Sequence, residues 1–219
     1  MVFDSKCKSC CIRETMRKKE FFLLSLFGLI ILLFMVRNAL AFDFRDIADI
    51  GAAYTTHLFL HEMGHHIVAN RVGAENHKIA LFVQEKGKFY PGLAFADTIP
   101  EGAVLPYAVG GELLAAQTFE YGLHSYRHEP TTFNKALMFF STADFLVYTL
   151  IGNYINDDNE FYDTNMIREE TGCDKEALLS IVIAKTMLNT YRIMSGNDRF
   201  IPVIRAERDM TAFMVQYRF

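Results

Sequence analysis

Between residues 57 and 73 the chain reads HLFLHEMGHHIVANRVG, which puts four of its seven histidines within ten positions. His61 and His65 stand four apart, so on a helix their imidazoles project from one face, one turn from each other. Two imidazoles at that spacing reach a single tetrahedral cation. Glu62, beside the first, points into the same cleft, where it can take a proton from water. His-Glu-x-x-His is therefore the pattern of a zinc-dependent hydrolytic centre, with His61 and His65 as metal ligands and Glu62 as catalytic general base. The competing explanation is a helix that happens to be rich in histidine. The leucines, isoleucines and valines around the motif count against it, because a glutamate and two histidines are costly to bury without partners. Gly64 keeps one face thin, so that another element can come close.

The other histidines fit plainer roles. His57, a turn before His61, packs the helix or supports the ligands. His66 points about 100° away from His65 and is not expected to be a ligand. His77, His124 and His128 fall in polar stretches and are expected on the surface.

A catalytic zinc takes three protein ligands and keeps one position for water. Two carboxylates compete for the third place, each in an apolar helix where an acid is expensive. Glu112 follows the pair Gly110-Gly111, and Asp144 lies inside FFSTADFLVYTL. Glu112 as ligand would make a glutamate-type zincin. Both bound at once would close the site and leave a structural zinc in a non-catalytic envelope protein. Tyr148, one turn from Asp144, is the nearest candidate to steady an oxyanion.

These residues need elements to hold them. From Phe42 to Val72 the pattern is helical, uninterrupted by proline, with Gly73 placed to end it. Residues 77–97, HKIALFVQEKGKFYPGLAFAD, read as a hairpin turning at Gly87. Its strand edge offers an extended peptide substrate a place to add. Helix returns near Pro106 and carries Gly110-Gly111, which cost roughly 1 kcal/mol each and imply close approach of another helix. Residues 133–155 and 174–194 give two more helices, the last capped by Asp174. A final hairpin turns near Glu207-Arg208-Asp209. The fold expected is mainly α: a helical bundle carrying the histidine helix, with a small β hairpin inserted after it and another at the C-terminus.

The chain has 219 residues, 51% of them apolar and 14% aromatic, with a net charge of −4. Residues 1–20 carry +3, leaving −7 with no basic stripe, so nucleic acid is excluded as a partner. Cys7, Cys10 and Cys11 crowd the N-terminus and only Cys173 lies in the body, so no disulfide framework is available there. Residues 21–36 are sixteen uncharged residues after a basic stretch, and Ala39-Leu40-Ala41 offers a cleavage site. Residues 1–41 are thus an N-terminal tail plus a signal peptide or a retained signal anchor, and 42–219 a single helical domain. Either alternative places the body at a membrane or in the cell envelope, extracytoplasmic if Ala41 is a cleavage site.

HEMGHHIVANRVG, then a short hairpin, then AVGGELLAA, then an apolar helix with an inward aspartate resembles the site-two protease family of intramembrane zinc metalloproteases. The resemblance covers roughly residues 45–155. It implies a membrane-associated hydrolase that cleaves peptide bonds, with Zn2+ as cofactor and a peptide or protein substrate, in that family a membrane-embedded one. By order and distance it maps the third ligand onto Asp144. The chain departs from the family at Glu112, where proline usually follows the small pair, and around Asp144, which lacks the usual leucine and glycine neighbours.

Overall fold

The computed structural model describes residues 43–218 apart from 86, 157–161 and 208–209. Cys7, Cys10, Cys11, the apolar run 21–36 and the site at Ala39–Ala41 lie outside these residues. The chain divides into Met1–Ile47 and Ala48–Phe219, and the packing below is that of the second unit.

Free of proline and carrying four alanines, the segment Phe44–Val72 forms one helix of 29 residues, α1. It stops where expected. Gly73 takes φ +74, the left-handed conformation that glycine adopts without penalty. The Ala74 N–H then donates to Ala69 O at 2.9 Å and the Gly73 N–H to Asn70 O at 3.4 Å, the paired bonds of a Schellman end. The turn points the chain into strands β1 (Lys78–Glu85) and β2 (Lys88–Phe95), which pair antiparallel with Glu85 opposite Lys88. An isolated bridge between Glu75 and Thr98 closes the base of this hairpin.

Helix α2 (Val104–His128) follows, with Pro106 in the first turn, where its missing N–H is not needed. Helix α3 (Thr132–Tyr154) is capped by Thr131, whose hydroxyl accepts from the Asn134 N–H at 3.1 Å. Helix α5 (Lys175–Ser195) is capped by Asp174, which accepts from the Ala177 N–H at 2.6 Å. Strands β3 (Phe200–Glu207) and β4 (Met210–Tyr217) form the second antiparallel hairpin. The protein is thus mainly helical with two small hairpins, as the sequence indicates. One element escapes the sequence reading: a nine-residue helix, α4 (Asp163–Thr171), between α3 and α5. It is polar and short, so it has no apolar stripe to betray it.

Leu105, Ala108, Val109, Phe145, Ile167, Leu178 and Val182 knit α2, α3, α4 and α5 into the largest apolar cluster. Much else inside is polar. Thr118, Ser141, Thr149, Asn153, Lys185, Asn189 and Arg192 are all buried. Arg192 is held by both oxygens of Glu120 at 2.5 and 2.7 Å and by Asp198 at 3.0 Å. The outer face of α5 is the reverse, with Ile183, Tyr191, Met187 (67% exposed) and Met194 (82%) outward. Among the described helices, α3 is long and apolar enough to cross a membrane.

Candidate metal centre

Glycines make the centre possible by letting α2 and β2 touch α1. A Cβ on Gly64 would collide with the Gly110 carbonyl, and one on Gly110 would sit 2.8 Å from Gly64 O. The two helices therefore meet backbone to backbone. Gly111, next along α2, faces the imidazole nitrogens: a Cβ there would lie 2.5 Å from His61 Nε2 and would also strike His65 Nε2. On the other side, a Cβ on Gly92 of β2 would strike Glu62 Oε1 and lie 2.8 Å from Leu58 Cδ1.

In this clasp the side chains of His61, Glu62 and His65 are all buried. His61 Nδ1 lies 2.7 Å from Asp144 Oδ2, and His65 Nδ1 lies 2.7 Å from the Tyr107 carbonyl. An ionised carboxylate and a carbonyl only accept, so each ring carries its proton on Nδ1 and presents a lone pair at Nε2. The two Nε2 atoms face each other at 3.2 Å. Asp163, the first residue of α4, completes a triangle: its Oδ2 is 3.3 Å from His61 Nε2 and 3.2 Å from His65 Nε2. With both rings neutral, three acceptor atoms thus converge with no hydrogen to share among them, and a ring that gains a second proton, on Nε2, donates it to Asp163. These residues could hold a metal ion.

Asp163 is the residue the sequence reading missed. It lies in the acidic run NDDNEFYD, one of several acids with nothing to single it out. The available hint was its place in the first turn of a short helix closed by Gly172, and that helix itself went unread. Asp144 and Glu112, the two carboxylates expected from sequence, are both near but elsewhere. Asp144 stands at the Nδ1 side of His61, and its other oxygen lies 3.2 Å from His57 Nε2. Glu112 forms with His61 and Asp144 a second group of possible ligands, its Oε2 lying 3.5 Å from the buried ammonium of Lys185. Tyr148 stacks on the His61 ring with centroids 5.1 Å apart. His66 and His77 pair with each other, Nδ1 to Nδ1 at 3.0 Å, away from the centre. His124 and His128 are exposed.

The charges follow this geometry. Burial alone would raise the Asp163 carboxyl, but the charge of His65 and hydrogen bonds with both histidines bring it down to about 2. Burial would depress His61, yet the charge and hydrogen bond of Asp144, with help from Asp163, carry it well above the usual imidazole range. Glu62 is raised by burial, partly offset by His61, His65 and a hydrogen bond from the Ala94 backbone. Burial lifts Glu112 to about 7, against the pull of Lys185.

No family model, no curated protein and no solved structure matches this chain.

Proposed function

We propose that the protein is a membrane-associated zinc metalloprotease, with His61, His65 and Asp163 as ligands and Glu62 as general base. The observation that carries this reading is the triangle of acceptors. Ligand atoms about 2.0–2.1 Å from a tetrahedral zinc sit about 3.3–3.4 Å from one another, and the three edges here measure 3.2, 3.2 and 3.3 Å. Zinc held there supplies Lewis acidity, which brings the pKa of a water from 15.7 toward about 7. The remaining work belongs to the chain. Asp144 and the Tyr107 carbonyl hold the two rings in the binding tautomer and orientation. Glu62, raised by its burial, receives a proton from the attacking water and returns it to the leaving amine. Strand β2, seated on Glu62, offers main-chain groups to an extended peptide. Membrane association is supported by the apolar length of α3 and by the apolar outer face of α5.

Metal analysis by plasma mass spectrometry, paired with a peptide-cleavage assay, tests the reading. Near-stoichiometric zinc is expected in wild type and in Glu62→Gln, with loss in His65→Ala and Asp163→Asn. Cleavage is expected in wild type alone. Zinc that survives Asp163→Asn but leaves with Asp144→Asn would restore the ligand set implied by the family resemblance. Loss with Glu112→Gln would favour the glutamate zincin. Cleavage unchanged in Glu62→Gln would leave a structural centre.

A further inference from the structure

Several buried polar atoms have no hydrogen-bond partner among the described residues, and four of them share one seam. They are Thr149 Oγ1 and Asn153 Nδ2 on α3, and Thr164 Oγ1 and Arg168 Nε on α4. Thr149 and Asn153 lie one turn apart, as do Thr164 and Arg168, so each pair occupies one helix face. The two faces meet. Arg168 Nη1 reaches Asn153 Oδ1 at 3.5 Å, and Thr164 Oγ1 lies so close to Gly152 that a Cβ there would collide with it. Thr149, Asn153 and Thr164 are fully shielded from solvent. Buried polar groups are paired in folded proteins, and clusters that lack protein partners are where internal water is found.

The hydrogen-bonding inventory points to water in particular. Arg168 Nε–H and the two N–H groups of Asn153 are obligatory donors, since the Asn153 oxygen already faces Arg168. The two threonine hydroxyls both donate and accept. A water can accept from two of these donors and donate to both threonine oxygens, and the two hydroxyl hydrogens with the last Asn153 N–H leave places for further water. The seam also lies beside the metal centre, because Thr164 directly follows Asp163 in the first turn of α4. Behind Asp163, whose ligand partners His61 and His65 are buried, a hydrolytic reaction must still obtain water.

We infer that the α3–α4 seam is an internal water site, held by Thr149, Asn153, Thr164 and Arg168, that feeds the metal centre. The feeding role rests on the proposed zinc centre; the water site itself does not. Two measurements on the full-length protein separate them. A crystal structure with a bromide soak is expected to place ordered water within hydrogen-bond distance of these four atoms. A dry seam, or an anomalous bromide peak in it, overturns the site. The second measurement is solvent-proton relaxation of cobalt-loaded protein, comparing wild type with Thr149→Val/Thr164→Val and with Thr149→Ser/Thr164→Ser. Exchange of solvent with the metal centre is expected to slow about tenfold in the valine pair, equivalent to roughly 1.4 kcal/mol of barrier, with cobalt content unchanged. The serine pair, which keeps both hydroxyls, is expected to exchange as wild type does. Equal exchange in the valine pair and wild type overturns the feeding role. A wild type that binds no metal removes the zinc centre and the feeding role with it, while the crystallographic water stands or falls separately.

Discussion

At the scale of single residues the centre divides its carboxylates by the nitrogen each one faces. Asp163 meets the two Nε2 atoms and Asp144 meets Nδ1 of His61. Their substitutions should therefore differ in kind. Asp163→Asn is expected to abolish zinc binding. Asp144→Asn should keep the stoichiometry at saturating zinc and lose about 10–100-fold in affinity, the usual cost of removing an outer partner of a ligand histidine; titration against a chelator measures both. The pH dependence has a definite sign. A histidine binds metal only when neutral, and Asp144 raises the His61 pKa. In the metal-free fold the pairing of charged His61 with Asp144 contributes stability below the unfolded histidine value and loses it as pH rises through the raised one. Zinc affinity runs the other way, full above the raised value and falling below it. In Asp144→Asn that fall should begin at lower pH, a shift visible by repeating the chelator titration across pH. The histidines and Glu62 were legible because their chemistry is written in five consecutive positions. Asp163 was not, because its meaning depends on a fold that carries it 98 positions back along the chain to His65.

At the scale of elements, spacing and glycine were the readable signals. The glycine pair in α2 implied a close neighbour, and that neighbour is Gly64 of α1. Periodicity found the four long helices because each buries an apolar face, while β-prone pieces around Gly87 and the aromatic alternation of the tail marked the two hairpins. It could not find α4, which is held by what surrounds it rather than by a stripe of its own. The glycine clasp yields a sharp test. Gly111→Ala would put a methyl group 2.5 Å from His61 Nε2. The variant should lose zinc altogether while denaturant unfolding shows a cost of about 1–3 kcal/mol, the usual penalty for overpacking. Retention of zinc in folded Gly111→Ala would mean that Gly111 does not guard the ligand atoms. Gly92→Ala presses on Glu62 instead, so it should spare zinc content and impair cleavage.

At the scale of the whole molecule, polarity is partly turned inside out. Lys185, Asn189 and Arg192 of α5 are buried while Ile183, Met187, Tyr191 and Met194 face outward. Composition alone blurs this pattern, because the inward charges of α5 dilute its apolar character, and only the side-chain directions separate the two faces. The arrangement suits a helix whose outer surface meets hydrocarbon. Ile183→Lys/Met187→Lys discriminates. On a water-facing surface such changes usually stay within about 0.5 kcal/mol each. In hydrocarbon each lysine costs roughly 2.5–3.5 kcal/mol. We expect the double variant to lose stable membrane insertion, read by alkaline extraction, and to unfold earlier in detergent than wild type.

The crossing of α1 and α2 at Gly64 and Gly110 has one more consequence, which concerns volume. Helices separated by side chains can be squeezed, because rotamers shift and small voids close. Two backbones in direct contact leave nothing to squeeze. Pressure unfolds proteins chiefly by eliminating internal voids, and the backbone contact at this crossing offers none. The histidine pair, gauged only by the thickness of two peptide chains, would be among the last parts of the molecule to give.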